Sequence, residues 1–482
     1  MNTRMILNTL GRIVKLEAAL LLLPCAAAVF YSETRTALSF AGTAAAAFAL
    51  GFLLTHLTRK GDRTIYAREG FVITAFGWIL LSLIGAAPFV FAGDIPSYVD
   101  ALFETVSGFT TTGASILTDV EALSKGGLFW RSFTHWIGGM GILVMMMAIL
   151  PNSEGRSIHI MRAEMPGPVV DKIVPKVRET AKILYLIYIG ITVTQVIFLL
   201  FGGLSLYESL LYTFGTVGTG GFGLRGDSLA GYSAYVQWVI TVFMFLCGVN
   251  FNLYYLILNG KVRAALRSEE LRVFVGLILF SSLVIGLNIA PLCGSVSETI
   301  RTAVFQVLSI VSTTGYATAD FNLWPGLSKG LLFLLLFLGG CAGSTAGGLK
   351  LSRAMMLCKM IRRELHRMLH PRSVYTVRFE GKPLSAEVQT GVSTYFALYC
   401  LGMAATFFLI CLFDPFDLET NLSAAISCFN NVGPGFSGVG PMAGYAAYSP
   451  ISKMILAVAM LLGRLELYPL LLTFSPSTWV RR

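Results

Sequence analysis

The sequence predicts an all-α polytopic membrane protein: four repeats of spanning helix, half-helix and spanning helix around one axis, preceded by two extra transmembrane helices. Three observations predict it. Hydrophobic residues make up 55% of the 482 and charged residues 13%, with a mean hydropathy of +0.71. A soluble domain carries ~25% charged residues, and a globule of this length with so few lacks the polar surface to cover itself. Ten apolar runs have the ~20 residues needed to cross a bilayer. Four shorter apolar pieces repeat one pattern.

In chain order, the spanning runs fall at about 11–31, 38–57, 70–92, 127–151, 180–202, 233–258, 271–292, 326–349, 391–413 and 451–474. The first lacks a convincing small-residue cleavage site and reads as a retained span. The short pieces are 99–110, 207–217, 302–312 and 421–429. Each is about half the length a crossing needs, so they read as re-entrant or interfacial. The units are then a helix pair at 1–69 and one repeat each at 70–151, 152–259, 260–366 and 367–482, the third with a broken inner helix.

Charge sets the orientation. The N-terminus and the segments 58–69, 152–182, 259–272, 350–388 and 480–482 hold 28 of the 36 Lys and Arg residues. The positive-inside rule makes that side cytoplasmic, with both termini. The four short pieces then lie outside, where 13 carboxylates face seven bases. Such a balance draws cations, unless those groups serve only as solvated loops and caps. The net charge of +10 is thus a topology and lipid signal, and nothing else supports nucleic-acid binding. The eight cysteines are scattered, with no CxxC and no His/Cys cluster, so no disulfide framework, metal centre or cofactor is expected.

The short pieces align without gaps. Residues 100–114 read DALFETVSGFTTTGA, 208–222 ESLLYTFGTVGTGGF, 302–316 TAVFQVLSIVSTTGY and 420–434 TNLSAAISCFNNVGP. Each opens on a residue that suits a helix N-terminus and ends in a small-polar stretch with glycine at one offset: Gly113, Gly221, Gly315 and Gly433. Non-helical backbone at membrane depth persists only where it is buried in protein or lines water. Four such loops about one axis would present rings of carbonyls able to replace an ion's hydration shell. The residues that would face the ion are Thr111, Thr112 and Gly113; Thr219, Gly220 and Gly221; Thr313, Thr314 and Gly315; and Asn431, Val432 and Gly433. Half-helices entering from outside would aim their negative C-terminal ends at the centre, which favours a cation. In the second repeat, Thr216–Gly220 is close to the TVGYG loop of potassium channels and would centre on Gly218. The alignment of all four copies centres on Gly221 instead and is preferred, while the Gly-rich stretch leaves the other register open.

The motifs SGFTTTGAS at 107–115, GTGGFG at 218–223, STTGYATADF at 312–321 and NNVGPGF at 430–436 resemble those of the membrane subunit of Trk-type potassium uptake systems, in the superfamily that also holds the Ktr and HKT transporters. The similarity covers about 70–474, and the two preceding spans resemble the extra N-terminal pair of the Trk branch. The resemblance implies four helix–pore helix–helix repeats around a central pore, with one glycine per filter loop. It implies potassium as the transported and bound ion, and glycine at all four positions favours potassium over sodium. It further implies a homodimer with one pore per protomer, the bacterial inner membrane, and a cytosolic nucleotide-binding regulatory ring of the TrkA type.

After the apolar run 331–338 comes Gly339-Gly-Cys-Ala-Gly-Ser-Thr-Ala-Gly-Gly348, with five glycines in ten residues. Each costs a helix ~1 kcal/mol relative to alanine, so Gly339, Gly340, Gly343, Gly347 and Gly348 predict a break. The resemblance implies that this loop obstructs the pore under the filter; close helix packing by small residues is the alternative. Arg464 lies inside the last span, where a charge is costly and functional by default. Its position matches the arginine that projects into the pore in the family, against an ion pair to a neighbouring helix or snorkelling. Glu466, two residues on, faces another side of a helix and is a poor partner for it. Asp119, Asp227 and Asp320 follow their glycines by six, six and five residues and would concentrate cations at an outer mouth. The basic segment 350–382 suits either anionic lipid or the regulator. Gly343-Ser344 has no histidine evidently placed to activate it, His135 being the one well inside a predicted span and His56 lying at the end of another, so no enzyme is expected. Potassium uptake is the expected function; a secondary transporter coupling potassium to sodium or protons is the alternative.

Overall fold

The structure is a computed structural model that describes residues 1–58, 67–141 and 177–479. The N-terminal pair comprises α1 (Thr3–Leu20) with α2 (Leu22–Phe30), then α3 (Thr34–Leu57). The α1–α2 break at Leu21 follows from Pro24, which lacks an N–H and whose ring opposes the carbonyl four residues back, at Leu20. The first repeat is α4 (Ala67–Ala92), α5 (Tyr98–Phe109) and α6 (Lys125–Met140). The second is α7 (Val177–Phe201), α8 (Leu206–Val217), α9 (Ala234–Gly248) and α10 (Phe251–Leu258), followed by the short α11 (Val262–Leu266). The third is α12 (Glu269–Ile289), α13 (Val296–Val311), α14 (Gly326–Leu338) and α15 (Leu351–Leu369). A two-stranded antiparallel ribbon, β1 (Arg378–Phe379) and β2 (Lys382–Pro383), pairs Arg378 with Pro383. The fourth is α16 (Ala386–Phe413), α17 (Leu418–Asn430), α18 (Pro450–Arg464), α19 (Tyr468–Thr473) and α20 (Pro476–Trp479).

Burial runs opposite to that of a soluble protein. The long helices carry exposed apolar faces, such as Leu186, Val193 and Phe201 on α7 and Leu279, Leu283 and Leu287 on α12. Faces of that kind match hydrocarbon. The half-helices α5, α8, α13 and α17 are the buried elements: every residue of Ala101–Phe109, Leu211–Val217, Phe305–Val311 and Ser423–Asn430 is buried. Side chains of Ser97, Ser205, Ser295 and Asp417 cap their N-termini. The third starts six residues before the apolar piece at 302, because its first turns are polar and a Ser295–Glu298 cap lies outside any hydrophobic run.

The inner helices differ from expectation. Ten continuous spans were expected, with a break in the third repeat alone. Among the described residues six helices are long and apolar enough to cross a membrane, or seven if α9 and α10, bent by 92°, count as one. The inner helices α6, α9, α14 and α18 have 16, 15, 13 and 15 residues. At ~1.5 Å per residue none reaches ~30 Å. Each ends where the backbone leaves the helix: Gly141 at φ 81°, extended Val249, Gly339 at φ 71°, and Glu466–Leu467 at φ 55° and 64°. Hydropathy averages side chains and passes over such breaks. The end of the run 127–151, the basic stretch 152–176 and the repeat boundary at 151–152 lie outside the described residues.

Candidate functional site: a ring of four loops

Each half-helix ends in the same two hydrogen bonds. Thr112 N–H donates to Ser107 O, Gly220 to Gly215 O, Thr314 to Ser309 O and Val432 to Ser427 O, at 2.8–3.0 Å. One residue earlier, Thr111 donates to Gly108 O, Thr219 to Thr216 O, Thr313 to Ile310 O and Asn431 to Cys428 O. This is the Schellman termination, whose left-handed position prefers glycine. Here that position carries Thr111, Thr219, Thr313 and Asn431, at φ 54–56°. A β-branched residue at positive φ is a genuine outlier, costing about 1–3 kcal/mol, and such strain gathers at functional sites. Two residues on, Gly113, Gly221, Gly315 and Gly433 also have positive φ, at 78°, 76°, 83° and 104°. The backbone therefore puts Gly221 in step with the other three, while Gly218 ends its helix at φ −71°.

The glycines close a ring. A Cβ added at Gly113 would lie 2.1 Å from Gly220 O, one at Gly221 1.8 Å from Thr314 O, one at Gly315 2.1 Å from Val432 O, and one at Gly433 2.6 Å from Thr112 O. Each loop thus touches the residue before the next loop's glycine, and the fourth returns to the first. Any side chain would push adjacent strands of backbone apart. All four glycines line one cavity of about 280 Å³, with Ser115, Phe222 and Pro434. Thr111, Thr112, Thr219, Thr313, Thr314, Asn431 and Val432 are buried behind or below it. The ring is not fourfold in its details, since the buried Tyr445 hydroxyl donates to Gly433 O at 2.8 Å.

The Gly-rich segment lies against the inner side of the ring. Gly347 N–H donates to Thr313 Oγ1 at 2.6 Å, and a Cβ on Gly347 would meet Asn430 O at 2.5 Å. Gly339, Gly343 and Gly348 take positive φ, while Gly340 packs beside Gly248 O. The segment is pinned from several sides. Cys341 N–H donates to Gly248 O, Phe251 N–H to Gly343 O and Ala342 N–H to Glu270 Oε1. Arg464 joins it to the first repeat: Nη1 donates to Thr345 O at 2.9 Å, and Nη2 to Gly138 O and Gly139 O at 2.5 and 2.8 Å. Glu466 is engaged elsewhere, accepting both guanidinium nitrogens of Arg353, which also lies 3.9 Å over the Tyr395 ring.

The three outer aspartates are not brought together on the cavity wall. Asp119 accepts from Glu121 N–H and Asp320 from Asn322 N–H, both at 3.0 Å, and Asp227 is exposed beside Gly231. The cavity is lined instead by Thr118 and Val120, beside Asp119, and by Gly226 and Ser228, beside Asp227. Asp417, capping α17 outside the spans, is held below the usual carboxylate range, first by the Thr420 hydroxyl. The sequence assigns no shared role to Glu104, Arg131 and His135, which lie together behind the first two loops. Arg131 is one of the seven bases and Glu104 one of the 13 carboxylates that the charge count puts outside, whereas both are buried; their setting among apolar residues is the available signal.

The profile of the TrkH family, described as a cation transport protein, matches residues 38–481. The Trk system potassium uptake protein TrkH of Salmonella typhimurium is 35% identical over 489 residues, covering 99% of this chain and 100% of that one. TrkG of the Escherichia coli K12 Trk potassium uptake system is 32% identical over 491 residues, with the same coverage. The crystal structure of the potassium transporter TrkH from Vibrio parahaemolyticus superposes with a TM-score of 0.89 at 30% identity, covering all of both chains.

Proposed function

The chain belongs to the TrkH family of cation transport proteins, as a multi-pass bacterial membrane protein, and on that premise we propose that it takes up potassium ions through the four-loop ring. The observation that carries the reading is the closed circuit of glycine contacts, in which four backbones approach too closely for any side chain. An ion entering the outer cavity exchanges water for the carbonyls of residues 112–113, 220–221, 314–315 and 432–433. The side-chain oxygens of Thr111, Thr219, Thr313 and Asn431 stand at the inner end, which accounts for their left-handed backbone at a position glycine would fill without strain. The half-helix C-termini add negative potential at the same place.

Below the ring, the segment 339–348 is the gate and Arg464 its clamp. The segment blocks the path, and the guanidinium both holds it and repels a passing cation. Opening separates Arg464 from Thr345 O or from the Gly138–Gly139 carbonyls. A cytosolic nucleotide-binding ring of the TrkA type acting on α15 would supply the pull, since α15 continues the gate segment directly. The protein works as a homodimer in the inner membrane, both termini cytoplasmic, with ions driven inward by ~2.3 kcal/mol per charge per 100 mV. The test is flux in proteoliposomes with potassium or sodium as sole permeant cation. A reversal potential that follows the potassium gradient alone is expected. One that shifts with a proton or sodium gradient would make the protein a coupled transporter.

A further inference from the structure

One junction of the ring is built unlike the other three. From α6, Arg131 Nε donates to Glu104 Oε1 at 2.6 Å and Nη1 donates to Gly223 O at 2.9 Å. Glu104, on α5, also accepts from the Ser115 hydroxyl at 2.9 Å and from Ile116 N–H at 3.0 Å. One turn along α6, His135 Nδ1 lies 2.8 Å from Gly108 O, and Phe222 N–H donates to Nε2 at 3.3 Å. That second bond makes Nε2 the acceptor, so Nδ1 carries the proton. The guanidinium stacks 3.6 Å over the Phe222 ring. Glu104, Arg131 and His135 are all buried. Ser115 and Gly223 stand two residues beyond Gly113 and Gly221, so the network joins the first loop to the second just outside the ring.

The other repeats fill the matching places without charge. Counted from the residue preceding each inner helix, Arg131 corresponds to Ile240, Leu332 and Leu456, and His135 to Met244, Leu336 and Met460. Counted back from the ring glycine, Glu104 corresponds to Tyr212, Gln306 and Ala424. Packed hydrocarbon therefore fills the inner-helix positions at the other three junctions. A buried ion pair is a costly substitute for it and adds little stability over well-packed apolar groups, although losing one partner is strongly destabilising. What the ion pair adds is direction, because a planar fork and a carboxylate fix the backbone groups they bind.

We propose that Glu104, Arg131 and His135 are positioning residues for ion selection, fixing the separation of the first two loops and so the size of the carbonyl ring. This rests on the ring being the selectivity filter. The full chain in proteoliposomes tests it through the potassium-to-sodium permeability ratio, read beside the melting temperature of the purified protein. Glu104→Gln, Arg131→Met and Arg131→Lys are each expected to lower the ratio by about fivefold to tenfold, the discrimination one hydrogen bond supplies. The double variant Glu104→Gln/Arg131→Met leaves no unpaired charge and is expected to regain melting temperature without regaining the ratio. It also serves where the single variants fail to fold. A double variant with the wild-type ratio overturns the proposal and leaves the filter reading intact. Gly113→Ser runs alongside; if it too keeps the wild-type ratio, the filter reading falls and the proposal with it.

Discussion

Gly113 has a neighbour's carbonyl where a side chain would go. Gly113→Ser is therefore expected to widen one side of the ring and reduce potassium-over-sodium selectivity, read as a shift in reversal potential under bi-ionic conditions. Gly221→Ala should be harsher, because its methyl would meet Thr314 O at 1.8 Å. Thr313 belongs to the ring and also touches the segment 339–348. Thr313→Val removes the acceptor of the buried Gly347 N–H, at a cost of about 1–3 kcal/mol in the closed arrangement. Basal potassium flux without the regulator should then rise; flux unchanged in a folded protein would show that the bond does not hold the gate. Arg464→Ala loses bonds to three carbonyls and the charge together, and the same assay should report a larger rise. The sequence showed Arg464 as an intramembrane charge and correctly discouraged Glu466 as its partner. It could not show that Arg353, 113 residues away, takes that carboxylate, because such pairs are made by the fold.

At the scale of elements, the segment 339–348 reaches across the molecule to α9, α12 and the half-helix ends of the third and fourth repeats. If the segment obstructs the path and Arg464 holds it, deleting residues within 341–346 should raise unregulated flux more than Arg464→Ala, since both barriers go together. Selectivity should hold, as the loops above are untouched. Equal selectivity loss in the deletion would place part of the sieve in the segment itself. The half-helices were legible in the sequence because their length, caps and glycine offset recur four times. The inner-helix breaks were not. A glycine cluster is visible at 339–348, but α9 stops at an ordinary Val-Asn pair, and α18 at Glu466–Leu467, where nothing in composition predicts left-handed backbone. The threonines at positive φ were equally hidden. Propensity argues against them, and only the ring explains why a hydroxyl is kept where glycine would be easier.

Over the whole molecule, the positive-inside reading assigns 13 carboxylates and seven bases to one face, although Glu104 and Arg131 among them are buried in the fold. Asp119 and Asp227 adjoin residues that line the cavity, Asp320 does not, and none of the three lines it, so any help they give is through their field. Converting all three to asparagine should lower flux most at low ionic strength, where the Debye length reaches ~30 Å at 0.01 M. A loss independent of salt would mean that they serve as local caps alone. The ring itself draws on residues from 111 to 433. Its closing contacts bring Gly433 against Thr112 O and let Asn431 Nδ2 donate to Thr112 Oγ1 at 3.0 Å, across 319 positions of sequence. Tyr445 N–H donates to Ser115 O at the same seam, and Lys453 pairs with Asp100 at 2.6 Å. During synthesis, a ribosome that has released three repeats into the bilayer has therefore made an open horseshoe with one carbonyl bank missing. If the ring conducts, its path acquires the last wall only once the fourth repeat has folded back against the first.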